Sequence, residues 1–366
     1  MKGKVVYYFA FDVALEIRTS AIANVLSEKA LPFEIQLGPA APKDLRIYQP
    51  RSVTLPVSQG SSNVGAVSLK TIVRVFDVGV LSLSFEVAFD NADPASLIPY
   101  HRLTVDGIPL ERRAEELCRR AVDGLKELMV KPSAEVRKPE AYTVFCVEKI
   151  DADPERPVTE WVQAHRQELA QLLAEEAAGP PLSQAQVNET LRVSQSYSIA
   201  DLTVIEWDAA LVIDRSGTFD DVLYVIELAN LQLEEFQLLD DRLDAFFLQA
   251  YDDLDRYFAR PRFFRGPRQI MGALRSIRMD VTKMSEEVTN ITKFVGDWYL
   301  ARVYLGCKDR FHLAHWEASV DQKVKQLDEL YSIANTEITN WRMLILEVLI
   351  VALFLIDVAA LIFMKK

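Results

Sequence analysis

The densest set of side chains that could hold a metal ion is Cys307, Asp309, His312 and His315. His312 and His315 stand three residues apart, so a helix would place them on one face, beside either Cys307 or Asp309. A structural zinc site needs a second ligand pair at similar spacing, and the sequence supplies none. The expectation is a hairpin turn with exposed histidines, no metal and no cofactor. Catalytic signatures are also missing. There is no nucleophile elbow, no glycine-rich phosphate loop, no dinucleotide fingerprint and no paired-histidine metalloprotease helix. With only 4 histidines for acid–base work, the expectation is no catalytic residue and no enzyme. An unrecognised enzyme stands as the last alternative.

A second chemical feature is the run from Arg256 to Arg268. Arg256, Arg260, Arg262, Arg265 and Arg268 are interleaved with Tyr257, Phe258, Phe263 and Phe264, in a chain of net charge −12. Guanidinium and aromatic groups together suit phosphate contact and base stacking, so the run is a candidate contact for RNA, the ribosome or lipid headgroups. The plainer reading has the aromatics plugging a core while the arginines pair with Asp252, Asp253 and Asp255.

The third feature is a pair of acids in an apolar run. Met343 to Met364 is 22 residues long and carries only Glu347 and Asp357 as charged groups. As a helix it would span roughly 33 Å, enough for a hydrocarbon core of about 30 Å. Ten residues apart, the two acids fall within roughly 80° of one another on a helix. An ionisable group at membrane depth needs water, a partner or a bundle interior. Glu347 can snorkel to an interface, whereas the deeper Asp357 points to an oligomer interior or an ion path.

These groups need elements to hold them. In residues 1–150 short strand and helix patterns alternate. Thr71–Phe76 and Val80–Phe89 read as a hairpin turning at Gly79, Glu111 to Val130 as a helix, and Ala141 to Val147 as a strand. A helix is expected from Thr159 to Ala178, with a stop at Gly179-Pro180-Pro181. Thr203 to Ile213 is compatible with either a strand or a buried helix. A long helix follows from Asp220 to Ala259, with Pro261 as its stop. Beyond Pro267 apolar residues recur at alternating spacings of four and three, including Ile277, Val281, Met284 and Val288, with release at Gly306. A second such seam runs through Val320, Val324, Leu327, Tyr331 and Ile338 and continues into the apolar tail. An antiparallel hairpin within one chain or parallel pairing between chains would each explain the seams. Glu347 and Asp357 lie on the side away from the second seam.

The expected architecture is α+β. It comprises a mixed N-terminal domain (1–150), a mostly helical middle (151–265), a helical hairpin or coiled coil (266–341) and one transmembrane helix (342–364). Apolar residues at 50% and charged residues at 26% indicate a folded chain rather than a disordered one. The acidic balance excludes wholesale wrapping by nucleic acid. Cys118, Cys146 and Cys307 are widely spaced, which suits a reducing compartment. The N-terminal run Val5–Phe9 reads as a first strand rather than a signal sequence, which places the bulk of the chain in the cytosol.

Leu346-Glu347, the apolar run after it and Asp357-Val358 resemble the C-terminal signature of the "required for meiotic nuclear division" family, also called the YagE family. Its members carry a Leu-Glu pair and an acid-Val pair at the same ten-residue acid spacing, usually with Glu where this chain has Asp357. Asp321-Gln322-Lys323-Val324 stands where the family tends to have Asn-x-Lys-Leu, and Trp316 replaces an arginine usual there. Val75-Phe76-Asp77-Val78-Gly79-Val80 is similar to the family's Phe-Asp-Phe-Gly strand. The resemblance implies a membrane-anchored, self-associating protein without established catalysis. Mitochondrial members of that family support organellar translation by tethering its machinery to the inner membrane. Without a transit sequence, a bacterial inner membrane is the setting expected here. The leading expectation is a homo-oligomeric scaffold that tethers RNA or a partner, and the alternative is an ion-conducting or ion-sensing assembly.

Overall fold

A computed structural model describes residues 1–33, 50–90, 92–152, 155–176, 181–259 and 298–364, together with the isolated positions 272, 275 and 279. The chain opens with β1 (Lys2–Asp12) and β2 (Ala14–Ile17), then a small hairpin of β3 (Asn24–Val25) and β4 (Glu28–Lys29), and β5 (Leu31–Pro32). Next come β6 (Arg51–Thr54), β7 (Ser58–Ser62), β8 (Gly65–Val75) and β9 (Val80–Phe89). β10 (Thr104–Val105) and β11 (Ile108–Pro109) lead into α1 (Leu110–Leu125), followed by β12 (Met129–Pro132) and β13 (Glu140–Lys149). α2 (Val158–Ala164), α3 (Arg166–Leu173) and α4 (Gln184–Thr190) precede β14 (Ser194–Gln195), β15 (Asp201–Ile205) and β16 (Ala209–Asp214). Long helical segments complete the described chain: α5 (Asp220–Ala259), α6 (Trp298–Arg310) and α7 (Leu313–Met364).

One sheet of 12 strands organises the first part of the chain, in the order β11-β10-β7-β8-β9-β1-β13-β16-β15-β14, with β6 and β5 attached through β8. Its pairings are antiparallel except β13 with β16, which are parallel. β1 sits at the centre, with Val5 opposite Val87 on one side and Phe145 on the other. Because helices cover both faces, β1 is apolar at successive positions instead of alternating. Val5, Tyr7, Phe9 and Phe11 join a core with Ala114, Cys118, Ala121 and Leu125 of α1 and with α2 and α3. Val6, Tyr8, Ala10 and Asp12 are buried on the opposite face.

The chain divides into two compact units. The first is Met1–Leu238 with Met284–Glu317, and the second is Leu239–Lys283 with Ala318–Lys366. In the second, Lys323 Nζ pairs with Asp240 at 2.8 Å and Asp244 at 2.6 Å, while Ser319 Oγ donates to Asp240 at 3.0 Å. The contacts advance together along both helices, so α5 and α7 run in the same direction over this stretch. Val320 and Leu327 of the expected seam are buried there, as are Leu243 and Phe246 of α5. Val324 is half-buried. The side chains of Tyr331 and Ile338 lie outside the described residues, as do Ile277, Val281, Met284 and Val288. The expected antiparallel partner of this seam therefore lies outside them too.

The architecture is α+β, with the large sheet first, helices after it and one apolar helix at the end. The hairpin at Gly79 is present. Gly79 has φ +97, and a Cβ there would lie 1.9 Å from the Ala14 carbonyl oxygen, so the position requires glycine. Asp220–Ala259 is a single helix of the expected extent. Several boundaries differ. The helix expected to reach Val130 ends at Leu125, because Met129 and Val130 pair with Ile17 and Glu16 in β12. The helix expected over 159–178 breaks at His165 (φ −112, ψ 20), and α3 ends at Leu173. Thr203–Ile213 resolves into two antiparallel strands around a turn at Glu206–Asp208. The sheet also runs on past residue 150 as far as Asp214. The expected release at Gly306 does not occur. Gly306 is inside α6, against Val193 and Ile205, and the chain turns at His312 (φ +51).

Candidate functional site

Where Asp357 and Glu347 fall decides what the apolar tail can do. α7 contains one stretch, Thr339–Ala360, long and apolar enough to cross a membrane by length and composition, with mean hydropathy 2.7. Every residue from Leu346 to Ala360 is exposed, including both acids. Among the described residues neither acid has an ion-pair or hydrogen-bond partner.

The other sequence candidates fare differently. Arg260, Arg262, Phe263, Phe264, Arg265 and Arg268 lie outside the described residues, and so does the side chain of Arg256. Cys307 is fully buried, whereas His312 and His315 are exposed, so the four residues around the turn do not converge. His312 instead packs its ring 5.1 Å from Trp207. Among the described residues no group of three or more His, Cys, Asp or Glu could hold a metal ion.

The structure also brings together a polar layer that the sequence reading did not single out. Residues 222–236 of α5 are buried without exception. A helix enclosed on all sides that carries Glu227, Asn230, Gln232, Glu234 and Glu235 must supply each polar group with a partner. Glu227 pairs with Arg74 of β8 and accepts a 2.6 Å hydrogen bond from Ser82 Oγ of β9. The Phe33 ring covers the Arg74 guanidinium, with Cζ 4.2 Å from its centroid, and packs 5.2 Å from Tyr224. Burial alone would lower the Arg74 pKa, but Glu227 together with Tyr8 and Tyr224 outweighs it and the net shift is upward. Asn230 Nδ2 donates to the Glu140 carbonyl at 3.3 Å, and the Tyr304 hydroxyl donates to Gln232 Oε1.

At the far end of β1, Glu234 meets Asp12. Burial, then the charges of Asp12 and Glu140, push the Glu234 carboxyl up to about 8, although the Asp12 backbone N–H and Arg137 favour its ionised form. Burial likewise raises Glu140. Perturbed carboxyls of this kind often mark active sites. Here Glu234 is sealed between sheet and helix, and neither carboxyl lines the two clefts of the first unit described below. One cleft, of about 250 Å³, is bordered by Tyr197, Asp201, Asp214 and Tyr299. The carboxylates of Asp201 and Asp214 are engaged by the backbone N–H groups of Tyr197, Ser198 and Ser216.

The sheet and the helices braced on it, from β1 to the first residue of α5, coincide with residues 2–220, which match the family described as "Uncharacterized protein MJ0711, N-terminal domain". The chain belongs to this family. It is similar to the Uncharacterized protein MJ0711 of Methanocaldococcus jannaschii, 24% identical over 223 residues. That stretch is 60% of this chain and 65% of the relative, so the chain spans a little under two thirds of that protein's length. No solved structure matches it. The C-terminal residues on which the expected YagE resemblance rests lie beyond the matched region.

Proposed function

We propose that the chain is a membrane-anchored, self-associating scaffold without catalytic activity, which holds its sheet domain on the cytosolic side of a membrane. The observation that carries this reading is the exposed apolar stretch Thr339–Ala360 of α7. Leaving some twenty apolar residues in water is costly, and lipid is the solvent that removes the cost. Self-association draws support from the resemblance of the tail to the YagE signature, while the burial of the seam residues Val320 and Leu327 supports packing of the seam within one chain. The seam then forms a coiled coil, within one chain or between copies. Tethering to RNA or the translation machinery would run through Arg256, Arg260, Arg262, Arg265 and Arg268 with Phe263 and Phe264. The sealing of Glu234 and Glu227 away from the clefts supports a structural use of the buried acids.

Alkaline extraction of membranes containing the full chain tests the anchor. The protein should stay in the pellet, and Leu349→Lys with Leu353→Lys should release it. Full release of the unaltered chain would refute the anchor. For the tether, ribosome co-sedimentation should be lost when Arg260, Arg262 and Arg265 become alanine.

A second reading is an ion-conducting or ion-sensing assembly. Glu347 and Asp357 favour it, being two exposed acids near one stripe of the apolar helix. Conductance in liposomes that disappears in Asp357→Asn would support it, and no conductance in the unaltered chain would dismiss it.

A further inference from the structure

The second cleft of the first unit has the make-up of a ligand site. It encloses about 390 Å³ between α1, the β3–β4 hairpin and the face of β8 and β9, within the range of roughly 300–1,000 Å³ usual for small-molecule sites.

Its floor is set by the inward row of β8: Val67, Leu69, Thr71, Val73 and Val75. All five are buried, and Thr71, 5% exposed, is the sole polar member. A hydroxyl in an apolar row ordinarily finds a partner. Thr71 Oγ1 has none among the described residues, and it lines the cleft opposite Phe85, its cross-strand neighbour. Leu26, held at φ +53 in the β3–β4 turn, closes one side.

The mouth carries charges of both signs. Arg113, Glu116 and Arg120 come from successive turns of α1, and Glu28 comes from β4. Arg113 Nη2 is held by the Val105 carbonyl at 2.7 Å and Asp106 at 3.1 Å, while its buried Nε has no partner. Glu28, Glu116 and Arg120 make no ion pair among the described residues. A purely anionic ligand would meet Glu28 and Glu116, and a purely cationic one would meet both arginines. A small molecule bearing both charges can face each with its opposite while its apolar part rests on Leu69 and Phe85.

We infer that this cleft binds a zwitterionic amino carboxylate with an apolar side chain, the arginines taking the carboxylate, the glutamates the ammonium and Thr71 a hydrogen bond from or to the polar head. The site is independent of the membrane anchor.

Saturation-transfer NMR and calorimetry on the full chain in detergent test it, with L-phenylalanine as the probe. Phenethylamine, which lacks the carboxylate, and 3-phenylpropionate, which lacks the ammonium, serve as controls. Phenylalanine should bind, with each control about tenfold weaker, the loss expected for one charge-assisted hydrogen bond. Arg120→Ala, Glu28→Gln and Thr71→Val should each weaken phenylalanine binding with the thermal midpoint of the first two unchanged, both being at the rim. The inference is overturned if no saturation transfer from phenylalanine is seen at about 10 mM, a concentration that detects millimolar affinity. It is equally overturned if both controls bind as well as phenylalanine, or if Arg120→Ala and Glu28→Gln bind it like the unaltered chain.

Discussion

Replacing Glu234 with glutamine probes the buried polar layer by pH. Glu234 is 6% exposed and sits beside Asp12 and Glu140. Burial, followed by those two charges, raises its carboxyl from the ordinary 4.5 to about 8. The folded protein thus keeps this proton to about pH 8, whereas the unfolded chain gives it up near pH 4.5. Between those values the unfolded state binds fewer protons, so stability falls as pH rises. The cost is absent below about pH 4.5 and complete above about pH 8. At about 1.4 kcal/mol per pH unit the full cost is about 5 kcal/mol, and about 3 kcal/mol is already present at pH 7. Glutamine preserves the volume, accepts the same hydrogen bond from the Asp12 N–H and is neutral at every pH. Glu234→Gln should therefore be stabilised by about 3 kcal/mol at pH 7 and by nothing at pH 4. For a unit of this size that is a rise in Tm of roughly 6–12 °C at neutral pH. Thermal unfolding of both proteins in one detergent, from pH 4 to 8.5, measures the difference. A gain that is the same at all pH values, or a loss at pH 7, refutes the assignment of a proton to Glu234.

Other perturbations follow from the same geometry. Arg74→Met strands Glu227, whose side chain is 2% exposed, and should cost roughly 3–5 kcal/mol in urea unfolding. Adding Glu227→Gln should recover more than half of that loss, and strictly additive costs would show that the two groups are uncoupled. Gly79→Ala forces a Cβ to within 1.9 Å of the Ala14 carbonyl oxygen, so it should cost roughly 3 kcal/mol or more, seen as a drop in urea midpoint. Cys118, Cys146 and Cys307 are buried, and burial pushes all three thiols upward, Cys118 to about 12. A thiol reagent at pH 8 should label none of them in the folded protein and all three after denaturation, and rapid labelling of the native chain would contradict their burial.

Local rules made parts of this fold readable from the residues. Gly79 announces its turn because a left-handed position beside a carbonyl tolerates no side chain, and the start of α5 is announced by the turn before Asp220. Met129 reads as helix because its spacing from Leu125 fits one. Its true partner, Ile17, is more than a hundred residues away and leaves no local trace. Ala164 to Gln167 reads as uninterrupted helix, yet the chain bends at His165, where its Nδ1 bonds to the Trp161 carbonyl at 2.8 Å. The buried polar layer was hidden for a different reason. Glu227, Asn230 and Glu234 stand at i, i+3 and i+7, within about 60° of one another on α5, so they read as the polar stripe of a solvated face until the sheet is seen to cover them, while Gln232 is covered from α6. The acids of the tail were legible as residues, but their spacing cannot say whether lipid, water or another copy meets them.

The central place of β1 has a consequence for how the chain is made. Lys2–Asp12 leaves the ribosome before either of its neighbours, which are β9, ending at Phe89, and β13, ending at Lys149. At about 5–20 residues per second, one flank of this aromatic, β-branched segment stays unpaired for roughly 7–30 s after it appears. During that interval Val5 to Phe11 presents open backbone groups to any similar segment nearby, including the same segment on an adjacent nascent chain of a polysome. Yield on expression should thus depend on translation speed and chaperone supply more than on the stability of the finished fold.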